Sequence, residues 1–283
     1  MLEGVMLLWF ILTALSLVFV VVDIRRTPEA TVLKWGFVIL TIFTGPIGAF
    51  FYVLGCREPL PGTHEKYVAA TWRQVLGSTM HCAAGDGLGI VAGTALASVM
   101  EFGGAADIAI EYVIGFGFGW MFFQAFAMRD MAGGDYLKSL KMTLIPEFFS
   151  MNMLMAGMMV VSKPWMAEVE GSMSPASASF WFIMSMALLA GFICAYPMNW
   201  WLVTRNLKHG MMTVRKAQTA APEGSADMGS MSHGEHSHHS GDHQGHDQSG
   251  EHGEMSGRPS AGAVAAMGLL SILILAIGVA VVL

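Results

Sequence analysis

The sequence predicts an all-α, polytopic membrane protein with about seven transmembrane helices and a disordered, histidine-rich loop before the last one. Its 283 residues are 54% hydrophobic and only 13% charged, a composition typical of membrane proteins and not of soluble domains of this length. Apolar runs long enough to cross a hydrocarbon core of about 30 Å recur along the chain. A long polar stretch, rich in serine, glycine and histidine, interrupts them near the C-terminus.

The predicted spans are apolar runs separated by charged segments or by segments containing proline and glycine. They cover residues 4–22, 33–55, 76–99, 107–128, 145–162, 178–202 and 261–283. The first run has no basic residue before it and no small-residue cleavage site after it, so we expect a retained helix and not a cleaved signal. The second contains Gly45-Pro46-Ile47-Gly48, which predicts a kink or a re-entrant path.

The spans group into four segments along the chain. Two N-terminal transmembrane helices occupy residues 1–66, and a four-helix membrane core occupies residues 67–216. Residues 217–258 form the polar loop, whose composition predicts disorder without a ligand. Residues 259–283 form the C-terminal transmembrane helix. Between the second and third spans, the chain from Pro59 is expected to begin as a turn and to continue as an amphipathic helix at the membrane interface.

Lysine and arginine residues predict the orientation of the helices. With seven crossings, eleven of the fifteen fall on the side of the N-terminus, and positive residues concentrate on the cytoplasmic side of membranes. We therefore expect a bacterial inner-membrane protein with a cytoplasmic N-terminus, a cytoplasmic histidine-rich loop and an external C-terminus. Arg25 and Arg26 oppose this orientation unless the second helix fails to cross.

Net charge, cysteine content and motifs argue against several other classes of protein. The net charge of −6 arises partly from seven acidic residues between Glu223 and Glu254, and the sequence has no basic face suited to nucleic acid. Three cysteines do not form a disulfide framework. The sequence has no nucleotide-binding loop, catalytic triad or HExxH motif, so we do not expect a hydrolase.

The third span carries the densest set of ionisable residues. Such groups cost several kcal/mol within a membrane unless they are paired, which makes them candidates for function. His81 belongs to a stripe of small residues spaced four apart, which predicts close packing against another helix. Cys82 and Asp86 share the neighbouring stripe with Ser78. The set is a candidate metal site or proton relay; the alternative is a polar helix contact in which Cys82 packs as a small apolar group.

The fourth span begins with two acids, Asp107 and Glu111, which are four residues apart. Asp107 is expected at the solvated interface. Glu111 lies one turn deeper and is the better candidate for an inward-facing acid. A solvated helix end is the simpler explanation for the pair.

The fifth span adds a carboxylate and several thioethers. Glu147, Met151 and Met155 share one of its faces with two further methionines. Thioethers are soft ligands suited to Cu(I), and rows of them can form a passage for it; flexible packing of the helix is the alternative. Glu147 directly follows Pro146, which predicts a helix break where freed backbone groups can also coordinate.

The sixth span ends in a kink that includes Met198. Pro197 precedes this residue, and Cys194 lies one helical turn earlier, so Met198 is a further candidate soft ligand. The tryptophan pair and the arginine that follow are typical of an aromatic belt at the membrane interface.

The polar loop contains seven of the ten histidines. Imidazoles suit Zn(II), Cu(II) and Ni(II), and residues 218–257 contain acids but neither lysine nor arginine. We expect this loop to collect metal ions with low selectivity. The predicted ligands are His233, His236, His238, His239, His243, His246 and His252.

Two motifs resemble an uncharacterised bacterial membrane-protein family classed only as a domain of unknown function. One is His81-Cys82-x-x-Gly85-Asp86-x-x-Gly89, and the other is Ala195-Tyr196-Pro197-Met198-Asn199-Trp200-Trp201. The likeness covers roughly residues 70–216. It implies a context of heavy-metal-handling genes, in which histidine-rich stretches occur, but it supplies no activity.

The leading hypothesis is a membrane protein that handles transition-metal ions, copper before zinc or nickel, as a transporter or transport accessory. The loop would capture ions, and a site between the third, fifth and sixth spans would hold or pass them. Expected partners are the lipid bilayer and metal ions, and the small-residue stripes are compatible with a homo-oligomer or a larger membrane complex.

Two alternatives belong to other functional classes. A haem-bearing subunit of a membrane energy chain would need two axial histidines within spans, and only His81 clearly meets that condition. A proton-coupled carrier of a small solute would use Asp86, Glu111 and Glu147 as a relay.

Overall fold

The computed structural model describes residues 2–100, 103–129, 132–210 and 259–283. Within these residues all regular structure is helical, so the predicted all-α class is confirmed. The elements are α1 (Leu2–Asp23), a 3₁₀ turn (Ile24–Arg26), α2 (Thr31–Gly55), α3 (His64–Val68), α4 (Thr71–Met100), α5 (Gly104–Gly117), a π-helical segment (Phe118–Gln124), α6 (Ala125–Ala127), α7 (Tyr136–Glu168), α8 (Ala178–Thr204) and α9 (Ala261–Val282).

Seven helices in this part of the chain are long and apolar enough to cross a membrane, counting α5 to α6 as one. Their number and order confirm the predicted spans. The largest difference in bounds is at α7, which begins at Tyr136 instead of near 145. The helix starts there because the Asp135 side chain accepts hydrogen bonds from the backbone N–H groups of Leu137 and Lys138. The predicted break at Pro146 is wrong, since α7 continues through it.

The glycine–proline segment of α2 forms a kink. Gly45 has φ 55° and ψ −129°, a conformation that residues with a side chain rarely adopt. A β-carbon on Gly45 would also meet the Thr13 side chain of α1. Since the chain is helical on both sides of Gly45 over the 25 residues of α2, the structure favours the predicted kink over a re-entrant path.

Small residues bring α4 and α5 into close contact. A β-carbon built on Gly89 would lie 2.7 Å from the Gly115 Cα atom, and one built on Gly93 would lie 2.8 Å from the Glu111 Cα atom. The predicted stripe of small residues therefore has its packing partner within the same chain. The approach continues into the π-helical segment, where a β-carbon on Gly85 would lie 2.8 Å from Phe123.

The helices α4 and α7 form the centre of the bundle. Their buried residues include polar side chains that are fully shielded. On the outside, α9 packs on α7, with Gly278 against Ala156, and α1 is mostly exposed. The buried polar groups of α4 and α7 are therefore enclosed by the surrounding helices.

Candidate metal centre

Three of the predicted ligands meet between α4 and α7. Cys82 and Asp86 are one helical turn apart and face the same direction, and Glu147 of α7 faces them. All three residues have 0% exposure. One ligand atom from each lies within 4.8 Å of the others. A thiol and two carboxylates are thus held together in the interior of the bundle.

A lysine completes this cluster. The Lys208 ammonium donates hydrogen bonds to Cys82 Sγ and, at 3.1 Å, to Glu147 Oε2, while the Cys82 thiol donates to the same carboxylate oxygen at 3.3 Å. The side chains of Lys208 and Glu147 are each only 1% exposed. We refer to Cys82, Asp86, Glu147 and Lys208 as the central cluster.

The end of α8 directs Lys208 into the bundle. Asn206 has φ 56°, the left-handed conformation found after many helix C-termini. Its N–H donates to the Val203 carbonyl, and the N–H of Leu207 donates to the Leu202 carbonyl at 3.0 Å. Leu207 also packs against the small apolar cluster that contains Leu202, as the apolar residue of a Schellman motif does. The chain consequently turns back beneath α8 and carries Lys208 with it.

The sequence does not predict this contact, because a lysine directly after an apolar helix is expected to be a loop charge at the membrane surface. The available signal was the order Asn206-Leu207-Lys208 after an apolar helix. Asparagine tolerates the left-handed conformation, and a following apolar residue returns to the helix. Such a cap predicts a reversal of the chain, although it does not predict what the next side chain will contact.

Lys208 is held in its charged form by its neighbours. Burial by itself lowers the pKa of a lysine, but the proximity of Cys82 and Glu147 outweighs burial and holds the pKa of Lys208 above its ordinary value. The ammonium therefore supplies a positive charge in the interior of the bundle.

Several buried oxygen atoms of the central cluster have no hydrogen-bond partner outside the cluster among the described residues. They are both carboxylate oxygens of Asp86 and Oε1 of Glu147. Buried polar atoms are nearly always paired in folded proteins. If both acids are ionised and Lys208 is protonated, the cluster has a formal charge of −1, which is costly in a dry interior. The carboxylate oxygens and this negative charge suit a bound cation or an additional proton.

Gly119 of the π-helical segment makes room for Asp86. A β-carbon on Gly119 would collide with the Asp86 carboxylate. The glycine-rich fourth span thus provides space for one of the acids. Short π-helical segments often occur at functional sites, and this one borders the cluster directly.

His81 directs its Nε2 atom toward the π-helical segment. Its Nε2 atom lies 3.2 Å from the Phe123 carbonyl oxygen, which can only accept, so Nε2 carries the proton and Nδ1 is the free acceptor. The Nδ1 atom is buried without a partner among the described residues. It lies 3.9 Å from the position of a β-carbon on Gly36 of α2. The group of close ligand atoms accordingly contains Cys82 but not His81.

The predicted methionine ligands are buried at separate places. Met151 lies one turn beyond Glu147, where its methyl group packs against Gly115. Met155 is fully buried in the main apolar core. Met198 packs with Phe149 in a smaller apolar cluster. Their role as metal ligands remains a prediction, and the seven loop histidines from His233 to His252 lie outside the described residues.

A cavity of about 240 Å³ opens beside the central cluster, at the end of the bundle where α8 terminates. Lys208 contributes to its wall, so the cluster borders this space. Two thioethers and an imidazole also line it, from Met128, Met142 and His209. Such side chains are soft or borderline donors for transition metals. We call this space the near cavity.

A second ion pair lies at the opposite end of α7. Lys163 Nζ donates to Glu111 Oε1 at 2.7 Å, beside a cavity of about 430 Å³ that Asp107 also lines. Glu111 is buried, as an inward-facing acid would be, and Asp107 accepts a hydrogen bond from the Gly103 N–H at the start of α5. We call this space the far cavity.

Hydrogen-bonded side chains lie between the two ends of the bundle. The Tyr112 hydroxyl donates to Asn152 Oδ1 at 2.7 Å, and the Asn152 amide donates to the Ser271 hydroxyl of α9 at 3.1 Å. Polar groups are therefore present along α7 from the near cavity to the far one.

The fold and the cluster define a class: a multi-pass helical protein whose central helices enclose a buried polar site. Residues 71–208 match a family described as a domain of unknown function, DUF4396. The match begins with the first residue of α4 and ends at Lys208, so it contains the whole central cluster and none of the loop histidines. No curated protein and no solved structure matches the chain.

Proposed function

We propose that this protein binds a transition-metal cation within the membrane and passes it across, as a transporter or an accessory to one, in a bacterial inner membrane. The observation that supports this most directly is the group formed by Cys82, Asp86 and Glu147. Its ligand atoms converge in the interior of a membrane-spanning bundle, and three of its carboxylate oxygens have no hydrogen-bond partner outside the cluster among the described residues.

The donor set limits which metals are suitable. Zn(II) binds thiolate and carboxylate ligands together, whereas Cu(I) prefers thiolate and thioether. One thiol and two carboxylates suit zinc at least as well as copper. The thioethers of Met128 and Met142 in the near cavity favour copper, so copper, zinc and nickel are all part of the proposal.

The histidine-rich segment would raise the local concentration of metal at the near cavity. It follows the central cluster closely in the chain, since His233 comes 25 residues after Lys208. Weak imidazole chelates would exchange ions quickly and deliver them to a tighter site. By the distribution of lysine and arginine, this side is the cytoplasmic one.

Equilibrium binding of Cu(I), Zn(II) and Ni(II) to the purified full-length protein tests the proposal. The isosteric double variant Asp86→Asn with Glu147→Gln should lose the tightest class of sites but keep the weak ones. Deletion of residues 230–254 should remove the weak sites and keep the tightest class. Glu111→Gln is the matched control, because it alters an equally buried acid at the far end. If the double variant retains tight binding of every metal, the proposal is wrong.

A second candidate is a proton-coupled carrier of a small solute. The observation that favours it is a further buried acid, Glu111, next to the far cavity, with Tyr112 and Asn152 between it and the central cluster. This function requires flux driven by a pH gradient in proteoliposomes that contain metal chelator. Absence of such flux together with metal uptake would exclude it.

A further inference from the structure

Lys208 contacts the same atoms that would bind a metal. Its ammonium is hydrogen-bonded to Cys82 Sγ and to Glu147 Oε2, which belong to two of the three residues in the metal-binding group. A zinc ion would lie about 2.3 Å from the sulfur and about 2.0–2.2 Å from a carboxylate oxygen. An ammonium retained at the same atoms would repel it strongly in an interior of low dielectric constant.

We propose that Lys208 is a tethered cation that fills the metal site in the metal-free protein and leaves it when the metal binds. This inference rests on the proposed function, because it concerns the occupancy of the same site. The ammonium stabilises the buried acids while metal is absent. An entering ion must therefore bind the site strongly enough to displace the ammonium. Lys208 thereby regulates the affinity of the site.

Charge balance indicates the class of ion that exchanges most readily. When the metal enters, the Lys208 ammonium leaves the cluster, the Cys82 S–H bond breaks, and its proton passes to water as the sulfur–metal bond forms. Two single positive charges leave, so one divalent cation keeps the charge of the cluster unchanged, whatever the protonation of Asp86. A monovalent ion would leave one additional negative charge in the dry interior. The exchange therefore favours a divalent ion such as Zn(II).

The structure provides a place for the displaced side chain. Lys208 lies on the wall of the near cavity, whose volume of about 240 Å³ accommodates an extended lysine. The backbone is held at this point, because Asn206 has the left-handed conformation of the cap and the Lys208 N–H donates to the Leu202 carbonyl. A β-carbon on Gly210 would lie 2.6 Å from the Gln74 Cβ atom, so the chain beyond Lys208 rests on α4. Rotation about the side-chain bonds of Lys208 would therefore move the ammonium while the backbone stays in place.

Amine labelling of the wild-type protein tests this inference without any variant. The full-length protein is treated with an amine-reactive reagent, with and without saturating Zn(II), and each lysine is quantified by mass spectrometry. We expect labelling of Lys208 to rise several-fold with zinc, whereas labelling of the exposed Lys138 and of Lys163 in the far ion pair stays constant. If Lys208 stays protected while the tight site is filled, the inference is wrong.

Lys208→Met provides a second measurement, since it removes the charge and keeps a long side chain. With the competing cation removed, the folded variant should bind Zn(II) at the tight site at least about tenfold more strongly. Lys163→Met should leave the affinity unchanged. Equal affinities of wild type and Lys208→Met would overturn the inference alone. If neither protein binds metal tightly, the proposed function fails with it.

Discussion

The two lysine–carboxylate pairs of α7 contain the same chemical groups in different surroundings. Glu147 and Lys163 are sixteen residues apart on one helix, about 24 Å at 1.5 Å per residue, so the two pairs lie in opposite halves of α7. In the far pair, Lys163 with Glu111, the lysine side chain is 24% exposed, next to a cavity of about 430 Å³. In the near pair, Lys208 with Glu147, both side chains are 1% exposed.

This difference bears on what each pair does. A partly hydrated pair forms and separates at little cost, and its contribution to stability is small. A fully dehydrated pair stabilises a protein little compared with apolar packing, yet loss of one partner is very costly. The buried pair therefore depends strongly on the presence of some cation. That dependence is what a binding site for an exchangeable ion requires.

The largest expected effect comes from removing one acid of each pair. Glu147→Ala leaves the Lys208 charge buried without its partner and should reduce the free energy of unfolding by about 3–5 kcal/mol. Glu111→Ala should cost clearly less, because Lys163 can reach water. Unfolding of both variants by denaturant in the same detergent measures the difference. Equal losses would mean that the two ends are energetically equivalent.

Gly119→Ala should have the next largest effect, at the near end only. The added β-carbon collides with the Asp86 carboxylate, so we expect a loss of about 1–3 kcal/mol from overpacking, together with weaker metal binding. Gly117→Ala is the matched control, because a β-carbon there meets nothing within 4 Å. Thermal unfolding and metal titration of both variants test this, and identical behaviour would contradict the role of Gly119.

Asn206→Ala should have a smaller effect. Alanine in the left-handed conformation costs about 1–2 kcal/mol. We expect the backbone to shift and relieve part of this strain, which would displace Lys208. Asn206→Gly should retain the wild-type stability, because glycine adopts this conformation freely. Increased labelling of Lys208 in Asn206→Ala but not in Asn206→Gly would be the expected pattern. No comparable change is expected at Lys163, which lies within α7 and does not depend on a cap.

Composition and periodicity predicted the fold well, because crossing a bilayer imposes a length and an apolar content on every helix. The number and order of the helices that could span the membrane followed from these constraints. Local rules were less reliable at Pro146, where the expected break is absent, since a membrane helix tolerates proline within it. The start of α7 was missed, because the prediction followed the apolar run and the helix instead begins at the Asp135 cap.

The central cluster was predictable only in part. Ionisable residues inside apolar runs indicated Cys82, Asp86 and Glu147, because such residues are costly unless they face one another. His81 is equally suitable by its type and position, but adjacent residues on a helix point about 100° apart, and its Nε2 atom faces the Phe123 carbonyl instead. Lys208 was not predicted, since its position depends on how the chain folds back after α8.

The smallest expected effect comes from a hydrogen bond that lies between the two pairs. Ser271→Ala removes the acceptor of the Asn152 amide between α7 and α9 and should cost about 0.6 kcal/mol, the average for such a contact between membrane helices. Metal affinity at the central cluster should not change, because Ser271 touches neither pair. Unfolding and metal titration of this variant measure the two properties separately. A loss of affinity larger than the loss of stability would mean that the hydrogen bonds around Asn152 couple the near end to the far one, and the two pairs would then act as one system.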